Sequence, residues 1–154
     1  MSNQCYLFQI QMAVRNFEYK DLEEVWEIAK EALEENYTMD FLLYLWQINP
    51  DGFLVAEKNG KIVGFILSAK QSKDELRILM LAVKKEYRGQ GIGSMLLKEL
   101  LLKFPEVRRI YLEVKVENKK AIKFYKKHGF KIKEKLDNFY TDGSSAYLME
   151  KILY

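Results

Sequence analysis

The stretch Val83-Lys84-Lys85-Glu86-Tyr87-Arg88-Gly89-Gln90-Gly91-Ile92-Gly93-Ser94 decides how the rest of the chain is read. Three of its residues, Gly89, Gly91 and Gly93, are glycines within five positions. They follow an apolar run ending Leu81-Ala82-Val83 and precede Leu96, Leu97, Leu100 and Leu101, which recur at helical spacing. Glycine lets the backbone approach a ligand closely, and the unpaired N–H groups at the start of the following helix favour an anion. The loop suits a pyrophosphate. A Walker A loop would need Gly-Lys-Ser/Thr where Gly93-Ser94-Met95 stands. A Rossmann fingerprint would need Gly or Ala where Ser94 or Leu96 stands, and this loop lies mid-chain behind a hairpin. A plain tight turn that docks a helix is the alternative use of the same glycines.

Working outward, ELRILMLAV at 75–83 reads as a central strand, and the helix after the glycines ends at Pro105. Upstream, FLVAE at 53–57 and KIVGFILSA at 61–69 flank Asn59-Gly60, which predicts a hairpin. Residues 10–16 form a first strand. Asp21 with Glu24 gives a capping box for a helix whose apolar stripe is Leu22, Val25, Ile28, Ala29, Ala32 and Leu33. Thr38 caps a short second helix that stops before Asn49-Pro50-Asp51-Gly52. Downstream come a strand at 109–115, a helix at 118–128 closed by Gly129, and strands at 130–135 and 146–153. Hairpins first and crossovers later predict an α/β (α+β) fold, a mixed central sheet with helices on both faces. No repeat or linker interrupts residues 1–154, so a single domain is expected.

Composition narrows the function. Of 154 residues, 25 are Lys or Arg and 22 are Asp or Glu, a net charge of +3 that is too balanced for a DNA-coating protein. One cysteine, Cys5, and one histidine, His128, exclude a disulfide framework and Cys/His zinc sites, so no metal is expected. The first residues carry no Lys or Arg before Arg15, and no apolar run approaches the ~18 residues of a membrane span. A soluble cytoplasmic protein without membrane contact follows. Charge is unevenly spread: nine acids against Lys20 and Lys30 between Glu18 and Asp40, but two Arg and nine Lys against Glu113, Glu117 and Glu134 between Arg108 and Lys135. An acidic half suits a cationic amine and a basic half a polyanionic cofactor, unless both are only solvated helix faces. No base-stacking motif accompanies the basic run.

In the helix 118–128, Asn118, Ala121, Ile122 and Tyr125 share one face, and lysines occupy most of the rest. Glu113 alternates with Ile110, Leu112 and Val114 and so points away from them, toward solvent, an ion pair or a cleft.

Arg88-x-x-Gly91-x-Gly93 after Leu81-Ala82-Val83 resembles the acetyl-CoA pyrophosphate arm of the GNAT acetyltransferases. Tyr111-Leu112-Glu113-Val114, Asn118, Ala121-Ile122, Phe124-Tyr125 and Gly129-Phe130 resemble their second cofactor motif. Glu35-Asn36-Tyr37-x-Met39 and Phe139-Tyr140-Thr141-Asp142-Gly143 resemble N-terminal protein acetyltransferases, both NatA-type catalytic subunits with their archaeal relatives and bacterial ribosomal-protein alanine acetyltransferases. The resemblance runs from about residue 10 to 153. It implies acetyl-CoA as co-substrate, held by Leu81, Ala82, Val83, Arg88, Gly89, Gln90, Gly91, Ile92, Gly93, Ser94, Asn118 and Tyr125. Tyr125 would protonate the leaving thiolate, Glu113 or Glu35 would act as base, and Tyr37, Phe139 and Tyr140 would bind the peptide.

Protein N-termini are then the substrate, with a ribosome or auxiliary subunit as further partner. Acetylation of a small amine or polyamine, or a non-catalytic acetyl-CoA-binding module, are the alternative functions. The family often carries Tyr where Phe139 stands and acidic residues where Ser144 and Ser145 stand, departures that bear on substrate preference. An α-amine has a pKa of ~8, so its deprotonation at pH 7 costs only about 1 kcal/mol, against roughly 4–5 for a lysine. A distant base is sufficient for the former.

Overall fold

Asn59 and Gly60 both stand in the left-handed region, at φ 53 and 78, and fold the hairpin that their sequence predicts. The computed structural model describes residues 12–33 and 35–153. In chain order these are β1 (Met12–Asn16), a 3-10 turn (Tyr19–Asp21), α1 (Leu22–Ala32), α2 (Met39–Ile48), a second 3-10 turn (Pro50–Gly52), β2 (Phe53–Lys58) and β3 (Lys61–Ser72). There follow β4 (Glu75–Val83), a third 3-10 turn (Lys85–Tyr87), α3 (Ile92–Lys103), β5 (Arg109–Lys115), α4 (Lys119–Lys127), β6 (Lys131–Leu136) and β7 (Ala146–Ile152). The seven strands form one sheet in the order β1-β2-β3-β4-β5-β7-β6. It is mixed: β4 and β5 pair in parallel over Glu75–Arg77 and Arg109–Tyr111, while β5 with β7 and β6 with β7 are antiparallel. The expected sheet class therefore holds, with β4 central.

The chain gathers into two compact units, Met1–Ala69 with Met80–Pro105, and Lys70–Leu79 with Glu106–Tyr154. In the first, Ile62 through Ala69 are buried consecutively. Alternate residues of a strand face opposite sides, so β3 is covered on both. Phe17 stacks on Phe53 at 4.0 Å and meets Trp46 edge-on at 5.1 Å. Leu22, Val25, Ile28 and Ala29 bury the predicted stripe of α1. Each fully buried aliphatic side chain contributes about 1.5–3 kcal/mol.

Thr38 caps α2 as expected, accepting from Phe41 N at 3.1 Å. The capping box expected of Asp21 and Glu24 does not form. The Asp21 carboxylate takes the Arg15 guanidinium at 2.8 and 2.9 Å and the Glu18 N–H at 2.8 Å, and Glu24 accepts from Ile62 N at 3.0 Å. A half-buried arginine on the neighbouring strand outcompetes the local cap. Burial pushes the Asp21 carboxyl up, but the Arg15 hydrogen bonds, the Glu18 N–H and the arginine charge outweigh it and hold it low.

In the second unit β5 alternates strictly, with Ile110, Leu112 and Val114 buried alongside Met149, Ile122, Tyr125 and Phe130. The opposite face of β5 is polar: Arg109 bridges Glu75 at 2.9 Å and Glu150 at 2.7 Å, and its guanidinium lies 4.4 Å from the Tyr111 ring. No helix among the described residues is long and apolar enough to cross a membrane.

Candidate active site

The glycine loop lies in the first unit. Gly89 and Gly91 have φ of 79 and 82, and a Cβ at either would meet no protein atom within 4 Å. Glycine is therefore required there by backbone conformation, with the space before it open. Gly91 is the N-cap of α3, which has no side-chain cap and no acid in its first turn; the first helical bond runs from Met95 N to Gly91 O. The Ile92 and Gly93 amides of that turn have no intrahelical partner and stand at the positive end of the helix dipole. This fits the pyrophosphate of acetyl-CoA. Arg88 is anchored by Nε to Val83 O at 2.8 Å, and its Nη2 reaches Glu31 of α1 at 3.3 Å. Ala82 is buried, and Leu81 and Val83 are half-buried at the end of β4.

Gly64, which the sequence reading passed over, sets this geometry. A Cβ there would lie 3.0 Å from Ala82 O and 3.4 Å from Ile92 Cγ2, so glycine lets β3 lie against both the strand end and the helix start without a shift of a few tenths of an ångström. A lone glycine inside a strand was the available signal.

The same unit holds Glu35 and Tyr37 in the turn between α1 and α2. Glu35 is exposed and Tyr37 half-buried. The Trp26 indole donates to Tyr37 O at 2.9 Å, and the Tyr37 ring stacks on Phe41 at 5.9 Å. Burial, then the Glu35 charge, push the Tyr37 phenol up. Trp26 is a second positioning residue that the sequence did not reveal.

The second unit contains Tyr125, Asn118, Glu113, Phe139 and Tyr140. Tyr125 is 8% exposed, in edge contact with Phe124 and Phe130 at 5.2 and 5.4 Å. Burial pushes its phenol far up, so it stays protonated throughout the physiological range. Asn118 caps α4, its Oδ1 accepting from Ala121 N at 3.1 Å, which leaves Nδ2 for the cofactor contact that the resemblance implies. Glu113 points off the core as expected and is ion-paired: Arg77 Nε and Nη2 both lie 2.9 Å from its Oε1.

The loop between β6 and β7 is organised by Asp142. Its Oδ1 accepts from Ser144 N and Oγ at 2.9 and 2.6 Å, and its Oδ2 from Lys115 at 3.1 Å. The Ser144 hydrogen bonds, with Lys115 behind them, hold the Asp142 carboxyl down at about 2. Phe139 is exposed and meets Tyr140 edge-on at 5.0 Å. Among the described residues no group of His, Cys, Asp and Glu could hold a metal ion.

Residues 22–130 match the Acetyltransferase (GNAT) family. The chain belongs to that family. Over 143 residues it is 41% identical to an uncharacterized N-acetyltransferase of Methanocaldococcus jannaschii, covering 91% of each chain. It is 35% identical to an N-alpha-acetyltransferase of Sulfurisphaera tokodaii over 88% of this chain and 90% of the relative. A putative ribosomal protein bS18-alanine N-acetyltransferase of Bacillus subtilis shares 36% over 89% and 93%. Among solved structures, Ard1 from Thermoplasma volcanium superposes with a TM-score of 0.91 at 40% identity, covering 94% of this chain and 99% of Ard1. Arabidopsis thaliana Naa50 in complex with the bisubstrate analogue CoA-Ac-MVNAL gives 0.81 at 28%, covering 93% and 99%. The GNAT fold expected from the glycine loop is thereby established.

Proposed function

We propose that this GNAT enzyme transfers the acetyl group of acetyl-CoA to the α-amine of protein N-termini, the amine attacking directly in a ternary complex. The observation that carries this is the start of α3, uncapped and led by Gly89 and Gly91 at φ 79 and 82. Acetyl-CoA, when bound, supplies an acyl group activated as a thioester. The first-turn amides of α3 and Arg88 hold its pyrophosphate. A main-chain amide near Val83 polarises the acyl carbonyl. The Asn118 amide steadies the cofactor arm, and Tyr125 keeps a proton at its hydroxyl for the departing sulfur.

Glu113, fixed by Arg77, and Glu35, beside Tyr37, are the two carboxylates available to take the amine's proton through water. Tyr37 in the first unit, and Phe139 and Tyr140 in the second, are the aromatic residues assigned to the peptide. The Naa50 complex, with a CoA-linked peptide on a similar fold, supports peptide acceptors. The reading entails a cytoplasmic enzyme working on nascent or ribosomal proteins, alone or with an auxiliary subunit.

Incubation with acetyl-CoA and a panel of peptides differing in their first residue, followed by mass spectrometry, tests it. One acetyl group at the α-amine is expected. Unmodified peptides beside acetylated polyamine would shift the acceptor to small amines. Cofactor-induced thermal stabilisation with no acetylated product would leave a binding module.

A further inference from the structure

We propose that the lysine stripe of α4 is a contact surface for the phosphate backbone of RNA. Lys119, Lys120, Lys123, Lys126 and Lys127 are all exposed and recur at three- and four-residue spacing. None has a carboxylate partner among the described residues, whereas Lys30, Lys70 and Lys115 pair with Glu27, Glu106 and Asp142. Lys119 and Lys120 stand in the first turn, at the positive end of the dipole, with no acid there to offset them. Lys119 with Lys123, and Lys123 with Lys127, set like charges four residues apart. Lys126 and Lys127 complement the C-terminal end of the dipole, but Lys119 and Lys120 oppose it at the other end and Lys123 adds like-charge neighbours on either side, so folding stability does not account for the first half of the stripe.

The chemistry of the stripe selects the ligand. Ile122 and Tyr125, the apolar side of α4, are buried in the core, so the helix has no apolar face to insert into a membrane. Protein interfaces centre on aromatic and arginine anchors and are poor in lysine, and the stripe holds neither anchor. Mobile ammonium groups in a row suit phosphates spaced along a nucleic-acid strand, read without sequence. The net charge of +3 for the whole chain shows that this positive field is local. At the end of the helix, burial first, then the charges of Lys127 and of Lys151 on β7, push the His128 pKa down.

The test is fluorescence anisotropy of a labelled double-stranded RNA of mixed sequence against salt. Wild-type protein is expected to bind in the micromolar range, with log K falling about three to four units per unit of log salt. The triple variant Lys119→Gln/Lys120→Gln/Lys123→Gln should reduce that slope by about two to three and weaken binding at least tenfold at ~100 mM salt. Its acetylation of free peptides should be unchanged and its Tm no lower than wild type, which separates this surface from the transfer chemistry. His128 is the one histidine, so its ring signal in NMR should titrate at higher pH once RNA neutralises the stripe. Binding that is absent or indifferent to salt overturns the proposal. So does preference for phosphatidylserine vesicles over RNA, which would assign the stripe to membranes. A raised KM for acetyl-CoA in the triple variant would also overturn it, by assigning the stripe to the cofactor.

Discussion

Helices α3 and α4 each follow a strand of the parallel pair, yet they begin in opposite ways. Helix α3 starts on Gly91, which has no side chain to offer and a left-handed main chain. Helix α4 starts on Asn118, whose Oδ1 takes the Ala121 N–H at 3.1 Å. A side-chain cap is worth about 0.5–2 kcal/mol to a helix, and it uses donors that an anion could otherwise take. The uncapped start keeps its amides for a ligand at the expense of the free protein's stability. The capped start frees the body of α4 for Tyr125. In the proposed mechanism one helix binds and the other supplies the acid.

The largest expected effect probes the chemical helix. Tyr125→Phe keeps the ring and its edge contacts but removes the hydroxyl. Turnover should fall by ~10²–10⁴, while acetyl-CoA affinity changes by no more than the ~1 kcal/mol of one neutral hydrogen bond. Retention of half the wild-type kcat, with chemistry shown to be rate-limiting, would make Tyr125 a packing residue and erase the contrast.

Giving α3 the cap that α4 has attacks the comparison from the other side. Asn tolerates the left-handed region, so Gly91→Asn should fold. Its side chain would take a first-turn amide from the pyrophosphate, and titration calorimetry should show acetyl-CoA binding weakened on the order of tenfold or more. Undiminished affinity would mean that the helix start is not the anchor.

Removing the cap from α4 sharpens the contrast further. Asn118→Ala should lower stability by about 1 kcal/mol, read as a fall in Tm of roughly 2–4 °C. Asn118→Asp restores the cap but not the Nδ2 donor. If Asp recovers Tm without recovering acetyl-CoA affinity, the two roles of Asn118 separate. Recovery of both would leave it a cap alone.

The smallest effect concerns Arg88, held by Glu31 at 3.3 Å in a solvent-exposed pair. Such pairs are worth ~0–1 kcal/mol. Glu31→Gln should release the guanidinium and tighten acetyl-CoA by about two- to threefold at low salt, a gain that vanishes at high salt. Weaker binding would show that Glu31 orients Arg88 instead of competing for it.

The legible parts of the molecule were those fixed by short-range rules. Asn59-Gly60, Thr38, the run ending at Val83 and the glycines 89–91 each specify local backbone, and the structure follows them. Glu113 was placed on the correct face by alternation alone, but its partner Arg77 lies 36 residues away and no local pattern links the two. Asp21 failed as a cap for the same reason: Arg15 on β1 offers it two charge-assisted hydrogen bonds, and such a contact exists only once the chain has folded. Trp26, which holds the loop around Tyr37, and the Lys115 partner of Asp142 were illegible because they act through a carbonyl and an ammonium group distant in sequence, whereas the Asp142–Ser144 contact is local.

Gly64 carries a consequence for how this enzyme can change over generations. It lies within a fully buried stretch of β3, where Val or Ile would ordinarily be welcome, but the Ala82 carbonyl stands 3.0 Å from where a Cβ would go. Ile92 Cγ2 stands 3.4 Å from the same point, so a side chain there would press on both the strand end and the start of α3. A strand position remote from either ligand is thereby tied to cofactor affinity. A saturation library selected for activity should be enriched in glycine at 64.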